Sequence, residues 1–147
     1  KNIIYRSLDE GRTWEKQNEK MAGAVEMLEE GKAGVVSFHI SPADSSRVFF
    51  RGAGNRHWMT TDMGQHYTPL ESSFAIKEVK MHPTEPEWLM ASHLSDGCRT
   101  NAERTNCSME VYVSTDLGRR WRLMSSYVAQ FEWAPTSDGV LKHGYHR

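Results

Sequence analysis

The sequence predicts an all-β fold made of four-stranded antiparallel β-propeller blades. First, a short motif that contains Asp9, Asp62 or Asp116 occurs three times at a spacing of roughly fifty residues. Second, each copy lies between two runs rich in β-branched and aromatic residues, which is typical of strands. Third, a strand–proline turn–strand unit recurs between the copies. Together these units give four short strands per period, as in a propeller blade.

The motif reads Ser/Thr-x-Asp-x-Gly-x-x-Trp/Tyr, and each copy is predicted to form a hairpin turn, called here a box turn. Glycine adopts a positive φ without steric cost, and aspartate accepts backbone N–H groups within a turn. The hydroxyl joins the same network, and the aromatic residue begins the return strand and supplies buried area. The three box turns are Ser7, Asp9, Gly11 and Trp14; Thr60, Asp62, Gly64 and Tyr67; and Ser114, Asp116, Gly118 and Trp121.

Three aspartates in glycine turns also invite interpretation as metal ligands or catalytic acids. The Asp-x-Gly spacing favours a structural role, because each carboxylate is then used by its own turn. We therefore predict no catalytic residue, no metal ligand and no cofactor site among them.

The elements follow in a regular order along the chain. Val35–Gly52 matches Ile76–His93, and each segment has two strands around a proline turn, at Pro42 or Pro83. Residues 18–33, which precede the first of these segments, are rich in Ala, Met and Glu and favour a short helix or an irregular excursion. Residues 1–147 are thus expected to form part of a propeller, with both ends cut from a longer chain. The predicted order is a partial blade 1–17, an inter-blade segment 18–33, a blade 35–70, a blade 76–125 and the start of another blade at 128–134.

Both cysteines, Cys98 and Cys107, lie in a polar insertion of the second complete blade. A local disulfide fits this placement and would stabilise the fold by about 3 kcal/mol or slightly less. It would also indicate an oxidising compartment. Two free thiols remain the alternative, whereas zinc would need two further ligands and no histidine lies between the cysteines. Asn106 begins a formal N-glycosylation sequon, but the adjacent cysteine makes it a poor acceptor.

The composition excludes several classes of protein. The chain has 147 residues, a formal net charge of −1 and 25% charged residues. No apolar run reaches the roughly 18 residues of a membrane span, and the first residues look like a strand rather than a signal peptide. We expect no nucleic-acid partner and no direct membrane contact from this segment.

The box motif is the Asp-box, or bacterial neuraminidase (BNR) repeat, which occurs in sialidases, other glycan hydrolases and the sortilin family. The combination of His82-Pro83, the cysteine pair, the strand and turn at 112–121 and the V-x-x-F-x-W segment that starts at Val128 is more specific. It resembles the luminal propeller of sortilin-type vacuolar sorting receptors, from about Ile3 to Trp133. Thr60 and Tyr67 depart from the usual Ser and Trp, and neither change alters the turn.

This resemblance implies a ten-bladed ring, of which the chain would form about a quarter. It implies a luminal binding module of a Golgi–endosome membrane receptor and glycoprotein, with protein or peptide cargo and the remainder of the propeller as partners. Cargo would bind in the central tunnel, lined near 35–40, 76–81 and 128–133.

The alternative is a sialidase-like Asp-box glycoside hydrolase. Such an enzyme needs a carboxylate pair or a Tyr/Glu nucleophile with clustered arginines. The arginines of this chain are instead scattered through turns and strand ends. The sequence therefore favours a protein that is not an enzyme. Histidines could assist acid release of cargo, but for His39 and His82 a structural role is the expectation.

Overall fold

The computed structural model describes residues 2–95, 108–135 and 141–146. Nearly all of its regular structure is β, with one 3₁₀ turn at Asn18–Lys20 and one short helix, α1, at Ala24–Glu29. The strands are β1 Tyr5–Arg6, β2 Glu15–Lys16, β3 Val35–Ile40, β4 Val48–Gly52, β5 Arg56–Thr60, β6 Thr68–Glu71, β7 Glu78–Met81, β8 Leu89–Leu94, β9 Met109–Ser114, β10 Arg122–Ser125, β11 Gln130–Pro135 and β12 Leu141–His146.

The described strands form two complete sheets and two hairpins. Strands β3 to β6 form the first sheet and β7 to β10 form the second, each four-stranded, antiparallel and ordered as in the sequence. Strands β1 and β2 form an N-terminal hairpin, and β11 and β12 form a C-terminal hairpin. The predicted all-β fold with four-stranded antiparallel sheets is thereby confirmed, and it is consistent with propeller blades from a larger ring.

The two sheets pack face to face through one apolar core. Phe49, Met59 and Leu70 from the first sheet contact buried residues of the second, among them Val79 and Leu117. Phe49 is completely buried, and Leu117 is only 1% exposed. The second sheet packs in turn on the C-terminal hairpin, through a separate core that includes Met90, Val113, Phe131 and Trp133. Each sheet therefore buries one face against the unit before it and the other against the unit after it.

The segment between the N-terminal hairpin and the first sheet contributes to the core of that sheet. Met21 and Ala24 are buried with Val48, Phe50 and Trp58. The indole N–H of Trp58 donates a 2.8 Å hydrogen bond to the Ala22 carbonyl. This bond fixes α1 beside the sheet and satisfies a buried polar group.

In the proline turn of each complete sheet, one side chain accepts two backbone N–H groups, and that side chain differs between the two sheets. The Ser41 hydroxyl accepts the N–H groups of Ala43 and Asp44, at 3.2 and 3.3 Å. Nδ1 of His82 accepts the N–H groups of Thr84 and Glu85, at 3.1 and 2.9 Å. Ser41 and His82 are both buried, and each satisfies its polar side chain by accepting two N–H groups of the adjoining surface turn.

Candidate functional site

Each box turn is closed by its hydroxyl residue. The Ser7 hydroxyl accepts the Gly11 N–H at 2.7 Å and donates to the Asp9 carboxylate at 2.9 Å. Thr60 repeats these bonds with Gly64 and Asp62 at 2.9 and 2.8 Å. Ser114 repeats them with Gly118 and Asp116, both at 2.8 Å. The hydroxyl thus bridges the ends of the turn in all three copies.

The aspartates bind a residue that the motif does not specify. Oδ1 of each aspartate accepts the backbone N–H four residues later, at 2.8 to 2.9 Å. Oδ2 forms a hydrogen bond with the side chain of that same residue, and the distances from Oδ2 to the side-chain oxygen or nitrogen are 2.6, 2.7 and 2.9 Å. Sequence reasoning missed these donors because they share no residue type: they are Thr13, His66 and Arg120.

The backbone of the box turn places two successive residues at positive φ. The glycines Gly11, Gly64 and Gly118 have φ values of 87°, 84° and 86°. The residue before each glycine, which the motif leaves open, has a φ of 56° to 60°. These residues, Glu10, Met63 and Leu117, carry the steric cost that a non-glycine residue meets there.

These hydrogen bonds keep the three carboxylates ionised. The side chain and backbone of Thr13 lower the pKa of Asp9. The backbone N–H and side chain of His66 place the pKa of Asp62 far below its ordinary value. At Asp116, burial acts to raise the pKa, but the bonds from Arg120 and Ser114 outweigh it. An acid this strong is a poor general acid near neutral pH.

The box aromatics differ in their surroundings. The Trp121 ring packs edge-on against Phe49 of the first sheet and against Phe74. Tyr67 packs edge-on against Phe50, and its hydroxyl reaches the N-terminal hairpin. Trp14, in contrast, is 64% exposed, and its indole N–H donates to the Gly11 carbonyl. The expectation that Trp14 supplies large buried area is wrong, because the unit that such a ring would pack against is not among the described residues.

The first strands of successive sheets lie next to each other. Arg51, in β4 beside β3, donates to the Ile76 carbonyl just before β7 at 2.9 Å. Lys80 of β7 forms a 2.9 Å ion pair with Glu132 of β11 and lies 5.1 Å from the centre of the Phe131 ring. The sheets therefore converge at β3, β7 and β11, which include the residues expected from the sequence to line a tunnel.

Polar side chains lie where β3, β7 and β11 meet. His39 of β3 contacts the Ser37 hydroxyl at 3.1 Å, and Arg51 donates to the same hydroxyl at 3.0 Å. Burial, followed by the nearby Arg51 charge, lowers the pKa of His39, while Glu78 acts in the opposite direction. His39 is therefore mainly neutral near pH 7 and adds no net charge there.

His57 is a second buried histidine, inside the first sheet. Its Nδ1 accepts the Gly52 N–H at 3.1 Å, and its Nε2 contacts the Ser72 hydroxyl at 2.9 Å. Burial, with a contribution from Arg51, lowers the pKa of His57 to about 4. Sequence reasoning did not single out His57, and its place in a hydrophobic strand (RHWMT) is the signal that could have indicated a satisfied core histidine.

Some predicted features lie outside the described residues: Cys98, Cys107 and Asn106. Within 2–95 and 108–135, no group of three or more His, Cys, Asp or Glu side chains is arranged to hold a metal ion. No helix in the described part of the chain has the length and apolar character needed to cross a membrane.

The sequence matches the model of one protein family and is similar to several receptors. The family model described as "Sortilin, neurotensin receptor 3" matches residues 2–145. The VPS10 domain-containing receptor SorCS3 of Mus musculus is 25% identical over 137 residues, covering 89% of this chain and 9% of that receptor. The vacuolar protein sorting/targeting protein 10 of Mycosarcoma maydis is 26% identical over 136 residues, again 89% of the chain and 9% of the relative. The sortilin-related receptor of Oryctolagus cuniculus is 28% identical over 132 residues, 88% of the chain and 5% of the relative.

The chain thus spans less than a tenth of the length of these receptors, and the aligned part is nearly the whole chain. The matched range contains all three box turns, both complete sheets and most of the C-terminal hairpin. On this match, the chain belongs to the Sortilin-Vps10 family.

Proposed function

We propose that residues 1–147 are a partial propeller domain from the luminal part of a sorting receptor that carries proteins between the Golgi and the endosome or vacuole. The proposal divides the chain into a partial blade 1–17, an inter-blade segment 18–33, blades at 35–70 and 76–125 and the start of a further blade at 128–134. The observation that carries it is the convergence of β3, β7 and β11 in a chain of this family.

The converging strands offer two kinds of contact to an extended peptide. Strands β3 and β7 are each the terminal strand of their sheet, so one backbone edge is unpaired among the described residues. Such an edge binds an added strand through main-chain hydrogen bonds. Nearby charges of both signs, on Glu78, Lys80 and Glu132, can select side chains of the cargo. Protein or peptide cargo is therefore the partner class that this surface suits.

We propose structural roles for the twelve box residues and no catalytic role. A retaining or inverting glycosidase needs two carboxyl groups with separated pKa values on either side of one bond. The box carboxylates instead accept bonds within three separate turns, and each has a lowered pKa. This pattern supports a structural role for the box carboxylates, and the binding module remains the proposal because the arginines are scattered through turns and strand ends rather than clustered.

The test uses the full polypeptide in which this chain occurs, fused to a fluorescent protein and expressed in its own cells. We expect the protein to colocalise with Golgi and endosome markers. The purified luminal part should bind members of a random peptide library, and replacing Glu78 with Gln and Lys80 with Met should weaken that binding. The matched control is Arg122→Gln, on β10, the strand of the second sheet farthest from β7.

Two results would contradict the proposal. One is turnover of a fluorogenic sialoside or glucan by the purified protein, which would support the hydrolase. The other is peptide binding that falls equally with the Arg122→Gln control, because cargo would then not use the convergent strands.

A further inference from the structure

An arginine joins β3 to β7 at what we call the first junction. Arg51 lies opposite Ser37 in the first sheet. Its guanidinium donates to the Ser37 hydroxyl at 3.0 Å and, across the junction, to the Ile76 carbonyl at 2.9 Å. The planar fork of N–H donors allows one side chain to bind two acceptors that belong to successive sheets.

The second junction, between β7 and β11, has a serine where the first has this arginine. Ser92 lies opposite Glu78 in the second sheet, as Arg51 lies opposite Ser37 in the first. By position in the repeat, Gln130 of β11 corresponds in turn to Glu78. The second junction therefore has a hydroxyl and a carboxylate at positions where the first has a guanidinium and a hydroxyl.

The Ser92 hydroxyl is an unsatisfied polar group. Ser92 is completely buried, and its Oγ atom has no hydrogen-bond partner within the part of the chain that the structure describes. Leaving such a group unpaired costs about 1–3 kcal/mol. Directly opposed residues share one face of a sheet, and Ser92 is opposed to Glu78 and to Val111, which packs on the C-terminal hairpin. The hydroxyl is thus on the face of the sheet that forms the second junction.

Glu78 is a carboxylate that can still accept hydrogen bonds. Its side chain is 53% exposed, and its one ion pair in the described ranges is a 4.0 Å contact with Lys80. Both oxygens of Glu132 are instead in use, Oε2 by Lys80 at 2.9 Å and Oε1 by the Trp133 N–H at 3.0 Å. Lys80 is therefore held mainly by Glu132, which leaves Glu78 able to bind a further donor.

The charge at the second junction favours a cation. The charged side chains of β7 and β11 are two carboxylates and one ammonium, with a net charge of −1: Glu78, Lys80 and Glu132. A negative surface attracts a cationic group of a partner and repels an anionic one. A guanidinium suits the site better than an ammonium, because its rigid fork can donate to a carboxylate and to a second acceptor at once.

We propose that the second junction binds an arginine side chain of the cargo, whose guanidinium has the role that Arg51 has at the first junction. The arginine enters beside the exposed Glu78, donates to its carboxylate and supplies the N–H group that the Ser92 hydroxyl lacks. This inference rests on the proposed function, since it names the side chain that a peptide cargo presents to the convergent strands.

The experiment measures retention of three peptide libraries on the purified, immobilised full polypeptide. Each library consists of random decapeptides without Arg or Lys, except that one fixed central position is arginine, citrulline or glutamate. Citrulline has nearly the shape of arginine but no charge. We expect the arginine library to be retained at least about tenfold more than the citrulline library, as a hydrogen bond to a charged group implies, and the glutamate library to be retained least.

Two variants locate this preference. Glu78→Gln should lower the arginine-to-citrulline ratio by about tenfold, whereas Glu71→Gln, on the exposed edge of the first sheet, should leave it unchanged. Ser92→Arg supplies the guanidinium from the chain itself and should also remove the preference. A thermal melt reports whether Ser92→Arg folds, and if it does not, the comparison of Glu78→Gln with Glu71→Gln decides.

The outcomes separate this inference from the proposed function. Equal retention of the arginine and citrulline libraries, with both bound, would overturn the inference and leave peptide binding intact. An arginine preference that survives Glu78→Gln would overturn it too, because the cation would then bind elsewhere. Retention of none of the libraries would count against both the inference and the proposed function.

Discussion

The hydroxyl of Tyr67 donates a 2.7 Å hydrogen bond to Oε1 of Gln17. Tyr67 belongs to the box turn of the first sheet, and Gln17 follows the N-terminal hairpin and is completely buried. The other end of the Gln17 amide donates to the Glu15 carbonyl at 3.0 Å. The tyrosine that replaces the usual tryptophan of the motif thus supplies a hydroxyl that satisfies a buried amide in the preceding unit.

Tyr67→Phe should therefore destabilise the fold. The ring and its contact with Phe50 remain, but the Oε1 atom of Gln17 loses its donor, and we expect a loss of about 1–3 kcal/mol in the free energy of unfolding. Urea denaturation measures the change, with Tyr127→Phe as a control because Tyr127 is 75% exposed. Equal midpoints for the two variants would show that the bond contributes nothing.

Asp62→Ala or Asp116→Ala should destabilise the protein by about 1–2 kcal/mol without abolishing binding. Each change removes the acceptor of three hydrogen bonds within a box turn. Glu71→Ala is the control, since the Glu71 side chain is 80% exposed. A variant with unchanged thermal stability but no cargo binding would contradict the structural role of the carboxylates.

Gly118→Ala should be more destabilising than Gly54→Ala, although both positions have positive φ, 86° and 72°. The shared backbone strain costs about 1–2 kcal/mol. A Cβ at Gly118 would also lie 2.6 Å from the Phe49 ring, whereas one at Gly54 would meet no atom within 4 Å. We expect this overpacking to add about 1–3 kcal/mol. Chemical denaturation of both variants compares them, and equal losses would mean that Phe49 moves aside freely.

Stability should fall as the pH decreases from about 6.5 toward 4, in part because of His57. Burial lowers the pKa of His57 to about 4, so within this window the unfolded chain binds a proton that the folded chain does not. The contribution of His57 is complete above pH 6.5 and is lost by pH 4, up to about 3 kcal/mol.

The measurement is the urea midpoint as a function of pH for the natural chain and for His57→Gln. The variant should show a shallower slope between pH 6.5 and 4.5, because His39 and the carboxylates titrate in both proteins. Parallel slopes would exclude His57 as a source of the pH dependence.

Cys98 and Cys107 should be bridged to each other. The backbone N–H of Ser95 donates to the Ser108 carbonyl at 2.9 Å, and that of Ser108 donates to the Ser95 hydroxyl at 3.0 Å, so the ends of the insertion are held together. Non-reducing mass spectrometry of a tryptic digest should yield one linked pair of peptides. Complete alkylation without prior reduction would leave two free thiols and would weaken the luminal assignment.

The sequence predicted local structure correctly where one residue type has one structural role at a fixed spacing. The glycines of the box turns have the predicted positive φ because few other residues adopt it cheaply. The donors Thr13, His66 and Arg120 were not predictable, because three unrelated side chains make the same contact.

The burial predicted for the box aromatics failed only at Trp14, and for a different reason. It depends on the preceding unit, which is present for Trp121 and only partial for Tyr67. The convergence of β3, β7 and β11 was expected from the resemblance, but contacts such as the Lys80–Glu132 ion pair join separate sheets and leave no periodic signal.

The equivalence of Ser41 and His82 bears on how such repeats diverge. Both proline turns have an acceptor atom that faces two N–H groups. The hydroxyl oxygen of Ser41 has this role in one turn, and the imidazole nitrogen of His82 has it in the other. Substitution matrices score a serine-to-histidine exchange as unfavourable, so a search that relies on residue identity loses the repeat where its geometry is intact. Profiles that score these positions by hydrogen-bonding capacity should recover degenerate blades that identity-based alignment misses.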